Sequence, residues 1–304
     1  MGSDRVAQEG GSDHGGRRAW RKRFASGIGR AYVLLCTVLG ILTLAVILGF
    51  IVEKGFPALS WEFLTARPRK GMTAGGIFPA IAGTTIVSLL TVLFALPLGV
   101  GAAIYLNEYA PDTRGTRLIR LAIRNLSGVP SVVYGLFGVV LFVNLMNLGT
   151  SILSAGCTLG LLTLPWIITA SEEALRAVPR AYRDGALALG ATQWQAIRTA
   201  VLPPAIPGIL TGAILGLSRA AGETAPILFT GVAFYLPFVP KSASDQFMAL
   251  PYHLYILATQ HHSIEKVRPL AYGTALVLVG LVFLLNLGAF AVRYRMRKKL
   301  ESAR

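Results

Sequence analysis

Residues 184–226 read DGALALGATQWQAIRTAVLPPAIPGILTGAILGLSRAAGETAP. This stretch changes character partway. It is mixed polar up to Val201 and then apolar from Pro204 past Gly222. The apolar part is long enough to cross a bilayer as a helix, which takes about 20 residues. Gly208, Gly212, Gly216, Arg219 and Glu223 recur in it at steps of 4, 4, 3 and 4. At about 100° per residue they share an arc of about 80°. Small residues on one face let a neighbouring backbone approach closely, so Gly208, Gly212 and Gly216 are the expected packing stripe. A charge near mid-membrane costs about 2.5–3.5 kcal/mol even on the lenient insertion scale. Arg219 and Glu223 are i, i+4 neighbours and able to pair. Two readings stand side by side: a structural ion pair locking two helices, or an anion gate on a translocation path. In the second, Arg219 contacts an oxyanion through its planar donor fork, and Glu223 competes for the arginine so that release stays easy. Pro226, within a turn, predicts a broken helix at this place.

Outward from this span, the whole chain has the same character. Its 304 residues are 54% hydrophobic and 14% charged, with mean hydropathy +0.59. Soluble domains carry about 25% charged residues, so this composition excludes a cytosolic enzyme with a large soluble domain, and it excludes disorder. Six spans are expected, near 31–52, 77–106, 126–148, 150–170, 204–222 and 272–292, in an all-α membrane protein. With both termini cytoplasmic, the inner segments hold 21 Lys/Arg and the outer ones 7. That bias follows the positive-inside rule. It accounts for most of the net charge of +15 without nucleic acid as a partner. Residues 1–30 are expected to be a disordered basic cytoplasmic tail beside anionic lipid, 31–292 the permease domain, and 293–304 a second basic tail. Within 31–292, 171–203 is the long inner loop and 223–271 the outer segment. Met248 to Ala258 is too short to span and is expected to be a surface or re-entrant helix.

Several chemistries are missing. No lysine follows a glycine, so the chain lacks a Walker A loop. It also lacks H-E-x-x-H, C-x-x-C and G-x-S-x-G. Cys36 and Cys157 sit in separate apolar runs and read as small buried hydrophobes. His14, His253, His261 and His262 fall in flexible or outer segments, and no metal site is expected.

The inner loop 171–203 is patterned. A helix ends before Pro179, a second covers Tyr182 to Leu189, Gly190 breaks it, and Trp194, Ile197 and Val201 follow at helical spacing. Two short helices hinged at a glycine make a compact knob. Ala186, Leu187, Trp194 and Ile197 are its expected apolar surface, for docking or for packing on its own helices.

Asp184-Gly185-Ala186-x3-Gly190-x9-Ala200-x-Leu202-Pro203 resembles the coupling motif of bacterial ABC importer permeases, E-A-A-x3-G-x9-I-x-L-P. Spacing is kept throughout. Asp184, Gly185 and Ala200 replace Glu, Ala and Ile. Aspartate keeps the charge, and the added glycine weakens its helix by about 1 kcal/mol. The resemblance implies a type I ABC importer permease fold in which Asp184, Gly185, Ala186, Gly190, Leu202 and Pro203 couple to a separate ATPase. Ser218-Arg219-Ala220-Ala221-Gly222-Glu223-Thr224-Ala225-Pro226 further resembles the PstA-type permeases of phosphate importers. So do Ala103 to Tyr109, Gly128 to Leu136 and Pro203 to Ile209; the likeness covers residues 30–295. It implies inward phosphate transport by alternating access in the bacterial inner membrane. It also implies a heterodimer with a PstC-type permease, a PstB-type ATPase dimer that binds ATP and Mg, and a PstS-type phosphate-binding protein. No cofactor and no catalysis are expected in this chain. The alternatives are another oxyanion (sulfate, molybdate, phosphonate), a passive anion channel, or a signalling subunit without transport.

Overall fold

A computed structural model describes the backbone of residues 13–301 and the side chains of residues 29–298. In chain order its elements are α1 (Asp13–Gly55), a 3-10 turn (Phe56–Ala58), α2 (Trp61–Thr65), β1 (Pro68–Arg69), β2 (Ala74–Gly75) and α3 (Phe78–Ile104). They continue with α4 (Arg114–Leu126), α5 (Ser131–Gly138), α6 (Ile152–Arg176), α7 (Arg180–Ala188), α8 (Gln193–Ala196) and α9 (Leu202–Gly222). The last are α10 (Ala225–Thr230), α11 (Leu250–Thr259) and α12 (Ile264–Glu301). α3, α5 and α8 run on into π-helical turns at Tyr105–Tyr109, Val139–Leu145 and Ile197–Val201. β1 and β2 form one short antiparallel hairpin, Val232 and Phe247 make a single bridge, and the other regular elements among the described residues are helical.

Among the described residues, five helices are long and apolar enough to cross a membrane: Gly29–Ala58, Phe78–Tyr109, Ile152–Arg176, Gln193–Gly222 and Ile264–Lys298. Each matches one expected span to within two residues at its start or contains it whole. The expected third span, 126–148, contains the Ser131–Leu145 helix, and a bend separates that helix from α4 before it. α4 and the Ser131–Leu145 helix meet at 101°, and counting them as one span gives six. The cause is Ser127-Gly128-Val129-Pro130. A proline excludes its predecessor from the helical region, and Pro130 itself is extended at φ −55°, ψ 137°. α4 is amphipathic. Arg114, Arg117, Arg120 and Arg124 share one side, and Leu118, Ile119 and Leu126 are exposed on another.

Residues up to Glu53 form one compact unit and Lys54 onward a second. α1 starts at Asp13, so residues 13–30 are helical where a disordered tail was expected. Extending a helix already nucleated by a span costs little compared with starting one. Residues 1–12 and 302–304, the remainder of the two expected tails, lie outside the described residues. Cys36, expected to be buried, is exposed on α1, where bilayer hydrocarbon satisfies an apolar side chain; Cys157 is buried in α6.

In the second unit α6 lies between α3 and α9. Its Ser154-Ala155-Gly156-Cys157-Thr158 run is small and buried, which lets α3 come close: a Cβ on Gly156 would stand 3.0 Å from Leu90 Cβ. At one end of the bundle, the 231–249 loop supplies acceptors to the open N-terminus of α6. Ile152 N donates to Asp245 O (2.9 Å) and Leu153 N to Ala243 O (3.1 Å). Phe63, Met72, Ile77, Met248, Leu250 and Val267 form a separate core there, built from α2, the hairpin, α3, α11 and α12.

Two histidines belong to that core rather than to a flexible segment. His253 of α11 is 3% exposed and its Nδ1 has no hydrogen-bond partner. His261 accepts from Ser263 N at Nδ1, and its Nε2 donates to Gly71 O (2.8 Å). Its ring stacks on His262, because the two lie between α11 and α12 and not on a helix. Burial, and then the nearby His261 ring, pull His253 down to about 4. Its ordinary value is about 6.5. The unfolded segment therefore binds the proton more readily. The stability held by neutral His253 is complete above about pH 6.5 and is lost as the pH falls toward 4, up to about 3 kcal/mol. Thermal unfolding of His253→Leu is expected to show a flatter pH dependence between 4 and 6.5. An unchanged slope would assign the acid sensitivity elsewhere.

Candidate functional site

α9 brings its small residues against α6. A Cβ on Gly208 would stand 2.5 Å from Ala174 Cβ, one on Gly212 2.6 Å from Ala170 Cβ, and one on Gly216 3.3 Å from Ile167 Cδ1. Farther along the same helix stand Arg219, in the last turn, and Glu223, the C-cap. Arg219 Nη2 lies 3.2 Å from Glu223 Oε1, with side-chain exposures of 38% and 19%. The guanidinium also sits 5.8 Å from the centre of the Trp166 ring on α6. Ser218, next in chain, donates to Asn286 Oδ1 of α12 (2.6 Å).

The helix breaks here. α9 stops at Gly222, Glu223 is extended at ψ 134°, and α10 begins at Ala225 with Pro226 in its first turn. The break stands where the proline placed it. A cation near a helix C-terminus is favoured by the helix dipole and a carboxylate there is not. Glu223 therefore depends on Arg219, while the part-exposed guanidinium keeps a face toward the surroundings. An arriving oxyanion and Glu223 would compete for the same donor fork.

The other group of expected residues sits at the opposite end of α9. Asp184 and Gly185 are exposed on α7 and Ala186 is half-buried. Gly190 has φ +85°, a conformation that favours glycine. It ends α7 by donating its N–H to Leu187 O (2.9 Å). Thr192 then caps α8 in a capping box with Gln195. Leu202 and Pro203 open α9 directly after the π-helical turn, within the continuous Gln193–Gly222 helix. Leu187 and Trp194 are exposed as expected, and Leu189, not singled out above, is 91% exposed. Ile197, expected on this surface, is 1% exposed because the π-helical turn carries it inward.

Sequence reasoning missed two ionic staples behind the knob. Arg183 of α7 grips Glu108 at the end of α3, 2.6 Å from Nη2 to Oε1. Arg120 of α4 and Arg176 both bind Glu172 of α6, at 2.7 and 2.6 Å. Both carboxylates are less than a tenth exposed. The available signal was an acid at the end of each apolar run, Glu108 in one and Glu172 beside Glu173 in the other. A cleft of about 1000 Å³ opens beside these pairs, lined by Arg117, Arg124, Arg180 and Asp184 among others.

Membrane-crossing helices, a hinged pair of short helices at one end and a charged pair at a helix break describe a transport permease. Residues 95–301 match the model of the family described as binding-protein-dependent transport system inner membrane component, and the chain belongs to that family. It is 34% identical over 279 residues to the probable ABC transporter permease protein YqgI of Bacillus subtilis strain 168, covering 88% of this chain and 95% of that one. It is 36% identical over 249 residues to the probable phosphate transport system permease protein PstA of Methanocaldococcus jannaschii, covering 82% and 86%. The bacterial alginate ABC transporter in complex with alginate pentasaccharide-bound periplasmic protein shares the fold, with a TM-score of 0.61 at 15% identity over 91% of this chain and 98% of that one. The fold is thus that of type I ABC importer permeases, and the chain is a permease subunit of that family.

Proposed function

We propose that this subunit passes inorganic phosphate inward, with the knob facing the cytoplasm and both termini on that side. The observation that carries the reading is the Arg219–Glu223 pair at the break between α9 and α10. Relatives named as phosphate permeases at 30–36% identity support the choice of cargo. Phosphate is an anion, and bringing it into a cell that is negative inside costs about 2.3 kcal/mol per charge per 100 mV. A passive pore would leak it outward, so inward transport needs a motor. In this reading the motor is a PstB-type ATPase pair that binds ATP and Mg, with the knob from Asp184 to Pro203 seated in it. A PstC-type permease completes the path, a PstS-type binding protein delivers phosphate from outside, and no cofactor sits in this chain.

The test is radiolabelled phosphate uptake by phosphate-starved cells with and without the gene, with sulfate and molybdate as competitors. Loss of uptake on deletion, with neither competitor inhibiting the intact strain, is the expected result. Unchanged uptake in a strain without a second phosphate transporter would overturn the cargo. Inhibition by sulfate would move the assignment to another oxyanion, since a guanidinium fork accepts either tetrahedral anion.

A further inference from the structure

We infer that Glu108 is a positioning residue that fastens both halves of the knob to α3, so that displacement of the knob must move that membrane helix. Glu108 lies in the π-helical turn that extends α3. On one side of the Gly190 hinge, Arg183 of α7 contacts it. Nε lies 3.2 and 3.0 Å from its two carboxylate oxygens and Nη2 lies 2.6 Å from Oε1. On the other side of the hinge, Gln193 Nε2 of α8 donates to its backbone carbonyl at 2.6 Å. The remaining donors of Arg183 end on the C-terminal region of α6, on Leu175 O and Val178 O, both at 2.8 Å. The α7 guanidinium therefore bridges α3 and α6 through a planar fork that fixes direction as well as distance.

A hinge between two helices absorbs motion when only one of them is anchored. Here both are anchored to one residue, so flexing at Gly190 pulls on Glu108. The pair is largely buried, with side-chain exposures of 19% for Arg183 and 7% for Glu108, so water does not screen it as it would a surface pair. Asp184, Leu187 and Leu189 remain exposed for a partner. The inference rests on the reading that the knob docks the ATPase.

The experiment uses the complete importer, with its ATPase and binding protein, in proteoliposomes, reading phosphate uptake per ATP hydrolysed. Glu108→Gln is expected to retain the ATPase and continue hydrolysis while uptake per ATP falls at least tenfold. Glu108→Gln/Arg183→Gln removes both charges and leaves no unpaired ion behind. It guards against misfolding of the single variant and is expected to be equally uncoupled. In a Cys36→Ser/Cys157→Ala background, Glu108→Cys/Arg183→Cys joined by a short bifunctional thiol reagent is expected to recover at least half of the uptake per ATP. A purely structural role would give no such recovery. Normal uptake per ATP in folded Glu108→Gln, or no recovery on cross-linking, overturns the proposal. Failure of the docking reading looks different. Gly190→Pro, which cannot adopt φ +85°, would then leave ATPase binding and coupling intact.

Discussion

Arg219→Ala is expected to reduce phosphate uptake to background, at least a hundredfold, while the variant still assembles with its partner subunits. The reasoning begins with where the side chain sits. Arg219 lies in the last turn of α9, 38% exposed, with Glu223 at 3.2 Å and the Trp166 ring beneath it. Beyond its contact with the Trp166 ring it adds little to the seam between α9 and α6, which is closed by the glycine face one to three turns earlier. A part-exposed pair of this kind adds about 1 kcal/mol or less to stability. Removing the guanidinium takes away the cation at the break and leaves a carboxylate at the negative end of a helix. A passing anion then meets repulsion where it met a donor fork. Arg219→Lys keeps the charge without the fork, so partial uptake is expected. The competing reading, a lock between helices, predicts that Arg219→Ala lowers complex yield and uptake together. It also predicts that Arg219→Ala/Glu223→Ala recovers both. Uptake measured beside co-purification of the partners separates the two.

The second large effect concerns folding. Gly212→Leu is expected to deplete folded protein in detergent, because α9 and α6 touch backbone to side chain. Even the first added carbon would lie 2.6 Å from Ala170 Cβ, well inside the 3.5–4.0 Å of a relaxed carbon contact. Overpacking of this kind costs about 1–3 kcal/mol when side chains give way. Here the obstacle is a methyl on a helix backbone, which cannot rotate aside. Gly185→Ala provides the contrast of sign. Nothing lies within 4 Å of a Cβ there, and replacing glycine by alanine inside a helix gains up to about 1 kcal/mol. Thermal unfolding of the two variants is expected to shift in opposite directions. A tolerated leucine at 212 would mean that α6 and α9 separate more readily than their contact implies.

The sequence carried five of the spans, the knob and the break at Pro226, because apolar run length, glycine and proline act locally. It also placed Gly208, Gly212 and Gly216 on the arc that meets α6, since helical periodicity alone decides which residues share a face. Other features were hidden for physical reasons. The apolar run from Leu126 to Leu148 conceals that its helix starts only at Ser131, after Pro130, and that an arginine-bearing helix, α4, precedes it at a bend. Arg120 meets Glu172 across 52 positions and Arg183 meets Glu108 across 75, and no local pattern links residues so far apart. His253 looked like part of an exposed segment because its core is assembled from α2, α3, α11 and α12, each contributing a few residues. Ile197 shows the smallest failure: a π-helical turn adds a residue and rotates the face that a regular helix would have presented.

The bend between α4 and α5 also bears on the lipid around the protein. Ser131–Leu145 holds fifteen residues, about 22 Å of helix against a hydrocarbon layer of about 30 Å. The Ile264–Lys298 segment in the same unit holds 35. No bilayer of uniform thickness matches both. Acyl chains beside the short helix must shorten or disorder, while the long one must tilt or project past the headgroups. The annulus around this subunit is therefore uneven, and its short side favours thin, fluid membrane over thick, ordered membrane.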